Sequence, residues 1–163
     1  MTTGRAAYAP WLEFEANVAS RVRELARDSL AFSAGRQCIP GYPIDGFRAD
    51  AALSDGRSLL AIKVEVRQSH PDTNVGKYWL LKEYKQYDRV MLIHVYTPAY
   101  NSYGWRKTLG EFYAKRMAAD GGFEYILLDE RQATDVKIAL DTVMARVREA
   151  AADLFPPGGR PSE

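Results

Sequence analysis

Asp50, Lys63 and Glu65 are the residues of this chain whose types and spacing best suit chemistry. They lie in the run Arg48-Ala-Asp50-Ala-Ala-Leu-Ser-Asp-Gly-Arg-Ser-Leu-Leu-Ala-Ile62-Lys63-Val64-Glu65, two segments joined by Ser54-Asp55-Gly56-Arg57. The first segment alternates apolar and polar residues, the second is rich in Leu, Ile and Val, and Asp-Gly is a hairpin turn pair. A two-residue turn at Asp55-Gly56 sets Ser54 against Arg57, Asp50 against Ala61 and Arg48 against Lys63. Directly opposed residues share a face, so Asp50, Lys63 and Glu65 are expected together, with Lys63 diagonal to Asp50. The other face carries Phe47, Ala49, Ala51, Leu60, Ile62, Val64 and Val66 and is expected to form core. Two carboxylates with a cation between them offer hard oxygen ligands of the kind Mg²⁺ or Mn²⁺ takes. The same three charges also read as an ordinary surface ion-pair cluster.

The elements around this hairpin must position it. Pro10 suits the opening of a helix, and Trp11, Phe14, Val18, Val22, Leu25 and Ser29 or Leu30 recur at helical spacing to about Phe32. Glu15 falls on the inward side of that helix, where a carboxylate is costly unless it is paired or faces a site. After Gly35 the pattern turns extended through Cys38 and Ile39. Pro40, Gly41 and Pro43 follow, and Pro43-Ile44-Asp45-Gly46 reads as turn chemistry, with Asp45 an alternative acidic ligand. Val75 to Tyr87 reads as a helix, and Val90 to Tyr96 as a near-continuous apolar strand covered on both faces. A helix from about Ser102 to Ala119, a strand Phe123 to Leu128 and a long helix Thr134 to Leu154 complete an α-β-β-β-α-β-α-β-α order. Strand-helix-strand alternation implies parallel crossovers in the second half, and the hairpin implies an antiparallel pair in the first. The expected fold is a single α/β domain over residues 10–155, a mixed sheet flanked by helices, with disordered ends at 1–9 and 156–163.

Composition narrows the functions open to such a domain. The 163 residues suffice for one packed core, and a 47% hydrophobic, 26% charged composition is far from that of a disordered chain. Lys and Arg number 22 against 21 Asp and Glu, so any nucleic-acid contact must come from a local patch rather than the overall field. Cys38 is the sole cysteine, which excludes an internal disulfide and every multi-cysteine metal pattern. A reducing, cytoplasmic setting is the simplest expectation, because neither a signal sequence nor an apolar run of about 18 residues is visible. No Gly-rich phosphate loop, Ser-His-Asp order or metal-spaced histidine cluster points to another enzyme class.

The run from Arg48 to Glu65 resembles the PD-(D/E)XK, or restriction-endonuclease-like, nuclease superfamily, in which an Asp on one strand is followed across a hairpin by acidic-x-Lys. Gln68-Ser69-His70 is similar to a branch whose second strand reads Ile-Glu-Val and ends in Ser-His. The resemblance covers roughly the first 96 residues. It implies an αβββαβ core with an added C-terminal αβα, and Mg²⁺- or Mn²⁺-dependent hydrolysis of DNA. It also implies Asp50 and Glu65 as metal ligands with Glu15 joining them from the first helix, and Lys63, Glu65, Asp50 and His70 as catalytic groups. Arg48, Arg67, Gln68 and Lys77 become candidates for DNA contact.

The order of the pair is inverted, since Lys63 occupies the acidic slot and Glu65 the lysine slot. Glu65 can still serve if a bulge shortens its path to Asp50. A second register reads Glu65-Val66-Arg67 as acidic-x-basic, with Arg67 able to stabilise phosphate charge but not to act as a base. A third possibility is a module that binds nucleic acid or a partner protein without cutting. Glu15 also reads as a helix-boundary residue, and His70 with Gln68 as loop residues. Lys77, Lys82 and Lys85 with Tyr78, Trp79, Tyr84 and Tyr87 read either as a basic, aromatic nucleic-acid surface or as core aromatics beside a solvated face. Tyr96 to Arg106, unusually aromatic, reads as a recognition loop or a homodimer contact.

Overall fold

Strand β3, Ser58–Glu65, is buried along its whole length and is the spine of the molecule. The computed structural model describes residues 3–27, 29–37, 47–66, 70–84, 87–100 and 104–157. Ahead of β3 come α1 (Thr3–Arg23), β1 (Ala31–Gln37) and β2 (Phe47–Ser54). After it come α2 (Pro71–Glu83), β4 (Arg89–Tyr96), α3 (Gly104–Ala119), β5 (Phe123–Asp129) and α4 (Val136–Leu154). The strands lie in sequence order in one five-stranded sheet, antiparallel from β1 to β3 and parallel from β3 to β5. This is a single α/β domain with a mixed sheet, as the element order predicts.

The near-continuous apolar run of β4 follows from cover on both sides. Ile62, Val64, Met91, Ile93 and Val95 pack beneath α1 and α4, while Leu59, Ala61, Val90 and Leu92 pack beneath α2 and α3. Helix α4 buries Ala139, Leu140, Val143, Met144, Val147, Ala150 and Leu154, the i, i+3, i+4 stripe of an amphipathic helix. Its first turn is capped by Asp135, whose carboxylate accepts the N–H groups of Lys137 and Ile138 at 2.8 and 3.0 Å. In α1, Trp11, Phe14, Val18 and Val22 form the matching stripe, and Arg21 reaches Asp141 of α4 at 2.9 Å.

Three boundaries depart from the sequence reading. Helix α1 runs from Thr3 through Pro10 to Arg23, so residues 3–9 are helical rather than disordered and the helix stops nine residues before Phe32. Residues 31–37 instead form β1, because pairing with β2 satisfies the backbone groups along one side of the strand and still lets Phe32 pack on the α1/α4 core. Helix α2 starts at Pro71 and ends at Glu83, since proline at the first helical position lacks only a hydrogen bond that no helix start makes. The turn at Pro43 to Asp45 and the expected strand at Cys38 and Ile39 lie outside the described residues, as does the tail from 158. Among the described residues no helix is long and apolar enough to cross a membrane.

Candidate active site

The hairpin closes with a longer loop than Asp-Gly alone suggests. Ser54 pairs with Leu59, Leu53 with Leu60, Ala52 with Ala61 and Ala51 with Ile62. The connection is therefore the four residues 55–58, held by Asp55, whose carboxylate accepts the N–H of Arg57 at 2.9 Å and of Ser58 at 2.7 Å. Gly56 takes φ 88°, open to glycine at little cost. The register moves by two residues from the expected one. A two-residue shift preserves the face and changes only the partner. Asp50 thus stands across from Lys63 instead of diagonal to it.

On its other side, β2 pairs Ala52 with Ser33 and Ala49 with Gly35, so Ala34 alone opposes both Asp50 and Ala51. This is a β-bulge, and it breaks the alternation of faces. Ala51 packs with the α1/α4 core, but Ala49 packs with the α2/α3 core, contrary to the expectation that both face one way. Asp50 sits on the bulge. Its carboxylate takes the Lys63 ammonium at 2.8 and 3.0 Å and the Val64 backbone N–H at 2.6 Å. Both side chains of this ion pair are nearly excluded from water.

Glu15 of α1 completes the group. Burial, and then the neighbouring Asp50 carboxylate, which accepts a hydrogen bond from the Glu15 carboxyl, push its pKa up to about 7, with Lys63 acting in the opposite sense. The buried Tyr78 hydroxyl of α2 is pushed upward by burial and by Asp50 as well. Helix α1 and the β2–β3 hairpin therefore bring two carboxyl groups and one ammonium to a single point.

Glu65 belongs to a second group. It is 0% exposed, its Oε1 accepts Asn74 Nδ2 of α2 at 2.6 Å and His94 Nε2 of β4 at 2.7 Å, and its Oε2 has no hydrogen-bond partner. With Nε2 donating to the carboxylate, His94 Nδ1 accepts the Tyr125 hydroxyl of β5 at 2.9 Å. The Glu65 carbonyl accepts Thr97 Oγ1 at 2.8 Å, tying the ends of β3 and β4 together. Asn74, His94 and Tyr125 were not among the sequence candidates. The one legible signal was His94, a polar residue inside the apolar run of β4, which the parallel register places beside Lys63.

The remaining candidates are dispersed. His70 is exposed and stands at the N-cap of α2 without a side-chain cap bond, and Lys77 is half-buried on α2. Lys82 pairs with Asp120 at 3.5 Å. The backbone of Arg48 pairs with Arg36, while its side chain, together with Arg67, Gln68, Asp45 and Lys85, lies outside the described residues. Surface depressions lined by Lys82, Asp88 and Gly122 and by Leu30, Asp55 and Phe155 sit at the opposite end of the parallel strands from Glu65.

Among the described residues, no set of three or more His, Cys, Asp or Glu side chains converges as a metal cage. Two carboxyls in hydrogen-bonding reach, Glu15 and Asp50, nevertheless fit Mg²⁺, which commonly takes one or two protein carboxylates and completes its shell with water and substrate oxygens. Comparison with protein-family models, with curated proteins and with solved structures found no match. The class that fold and site define is thus an α/β domain with a charged cluster at the carboxyl end of a mixed sheet.

Proposed function

We propose that this chain is a divalent-metal-dependent phosphodiesterase acting on DNA, built on a restriction-endonuclease-like αβββαβ core with an added αβα. The observation that carries the reading is the convergence of Glu15, Asp50 and Lys63 on the β2 bulge. Glu15 and Asp50 would hold Mg²⁺ or Mn²⁺, which supplies charge neutralisation at the phosphoryl oxygens and a more acidic bound water. Lys63 exchanges part of its hold on Asp50 for the charge developing on the phosphate. Glu65, aimed by His94 and Asn74, has in Oε2 a buried, unpartnered acceptor that would take the proton of the attacking water once a water enters beside it. The inverted order then assigns electrostatic work to Lys63 and proton transfer to Glu65.

A second reading, a nuclease-like module that binds nucleic acid or a protein without cutting, draws on one specific observation. Lys63 neutralises Asp50, and Glu65 is wholly buried. Plasmid nicking with Mg²⁺ separates the two. Under the first reading the wild type nicks, Asp50→Asn is inactive, and the double change Lys63→Glu with Glu65→Lys keeps more activity than either single change, the coupling of groups that act as a unit. A wild type that never nicks, beside a double variant that does, establishes the binding reading instead. Nicking unaffected by Asp50→Asn sinks both assignments of the site.

A further inference from the structure

Helix α3 presents a face that the site chemistry does not use. Trp105 and Phe112 are each 57% exposed, and seven residues, two turns, set them on the same side of the helix about 10 Å apart. An exposed indole and phenyl in register are a cost to a monomer unless they have a use. The opposite side of α3 is committed. Gly110, Ala114 and Met117 are buried against α2, and a Cβ at Gly110 would come within 3.3 Å of Val75 Cγ2, so the two helices approach at backbone distance. The aromatic face therefore cannot rotate inward.

The charges around it are unbalanced. Helix α3 carries Arg106, Lys107, Lys115 and Arg116 against the single carboxylate of Glu111. Arg106 lies over the Trp105 ring at 4.5 Å from its centroid and also pairs with Asp72 at 3.2 Å, while Lys107 pairs with Glu111 at 3.3 Å. Lys115 and Arg116, beside Phe112, are exposed and meet no carboxylate among the described residues. Flat apolar rings flanked by uncompensated cations complement a polyanion whose bases are free to stack. Duplex DNA hides its base faces, so the stacking rings favour a single strand. The separation of the two rings matches about three nucleotides at the stacked spacing of about 3.4 Å.

We propose that the Trp105–Phe112 face of α3 is a binding wall for single-stranded nucleic acid that leads into the site at Asp50 and Lys63. The inference rests on the phosphodiester reading for its choice of ligand. Position supports it, since α3 begins at the strand ends where Glu65 lies. There Arg106 holds Asp72, two residues from the Asn74 that orients Glu65, and Lys107 lies 5.9 Å from the centre of the Tyr96 ring. The Arg106 guanidinium lies over one face of the indole, and Trp105 nevertheless keeps 57% of its surface exposed, which a stacking base would cover.

The test is fluorescence anisotropy with a labelled 20-nucleotide single strand and its duplex, in EDTA so that no cleavage intervenes. The wild type should prefer the single strand, and Trp105→Ala and Phe112→Ala should each weaken single-strand binding roughly tenfold while changing duplex binding little. Lys115→Glu with Arg116→Glu should weaken both and flatten the salt dependence. Trp105 is the most exposed of Trp11, Trp79 and Trp105, so its emission should also be quenched by the unlabelled strand. Because the two rings are exposed, both variants should melt with the wild type. Unchanged single-strand affinity in Trp105→Ala overturns the inference, even if the protein cuts plasmid. A wild type that dimerises through this face, and becomes monomeric in Trp105→Ala with the same DNA affinity, also overturns it. Single-strand binding that depends on Trp105 in a protein that never cuts upholds the wall and removes the cleavage reading alone.

Discussion

The two faces of the sheet are filled by different means. Beneath α1 and α4 the contact is apolar from Phe14 and Val18 across Ile62 and Ile93 to Val143 and Met144, and is interrupted where Glu15 of α1 meets Asp50. Beneath α2 and α3, aliphatic packing fades toward the carboxyl ends of β3 and β4, where Lys63, Glu65, Asn74 and His94 are buried among Tyr78 and Tyr96. One face gains stability simply from area removed from water. The other must satisfy each polar group individually, and Glu65 Oε2 is left unsatisfied. A fold that needed only stability would extend the apolar packing to both faces, because a buried ion pair is often matched or bettered by hydrophobic side chains of similar volume. The polar face is where a desolvation cost has been accepted, and it includes Lys63 and Glu65 of the candidate site.

The largest effect that would sharpen this contrast is expected at Lys63. Lys63→Met strands the buried Asp50 carboxylate and should cost about 3–5 kcal/mol, lowering Tm by about 10 °C. Adding Asp50→Leu to it should restore most of that loss while removing any divalent-ion binding seen by calorimetry. If Lys63→Met melts with the wild type, the Asp50–Lys63 pair is not the buried contact described.

On the apolar face, Ile93→Ala should cost about 2–5 kcal/mol through lost transfer energy and the cavity it leaves. Ion affinity in the folded variant should be unchanged. Altered Mn²⁺ affinity in Ile93→Ala would show that the two faces are coupled.

The smallest effect concerns pH. Glu15 holds its proton to about pH 7 in the folded protein but ordinarily releases it near 4.5. The folded state therefore binds the extra proton between those values, and stability declines as pH rises from about 4.5 to about 7. Glu15→Gln abolishes this decline. Its Tm should equal that of the wild type at pH 4 and exceed it at pH 8 by about 2–4 °C, roughly 1 kcal/mol once solvent screening is allowed for. Mg²⁺ should narrow that gap by compensating the Glu15 and Asp50 charges. Parallel Tm curves from pH 4 to 8 would remove Glu15 from the cluster.

Much of the architecture could be read from local pattern. Alternation placed β2, the Leu, Ile and Val of the second segment marked β3, and the apolar run from Val90 to Tyr96 announced a strand covered on both sides. The long helix expected from Thr134 to Leu154 corresponds to α4, whose buried stripe includes Leu140, Val143, Val147 and Leu154. The end of α1 was hidden because Leu25 and Leu30 prolong the helical spacing past Arg23, where β1 forms only through its pairing with β2.

For the site, the sequence by itself determined that Asp50, Lys63 and Glu65 share one hairpin, because strand periodicity is a property of neighbouring residues. It also marked Glu15 as an inward carboxylate. Only the tertiary structure decided the division of labour among them. The bulge opposite Ala34 turns Asp50 toward Lys63 and Glu15, and Asn74 and His94, both outside the hairpin, claim Glu65 for a separate buried network. Those partners arrive by helix packing and by the parallel crossover to β4. A buried charge is settled by whatever donor the fold brings within about 3 Å, which no local pattern of residue types can specify.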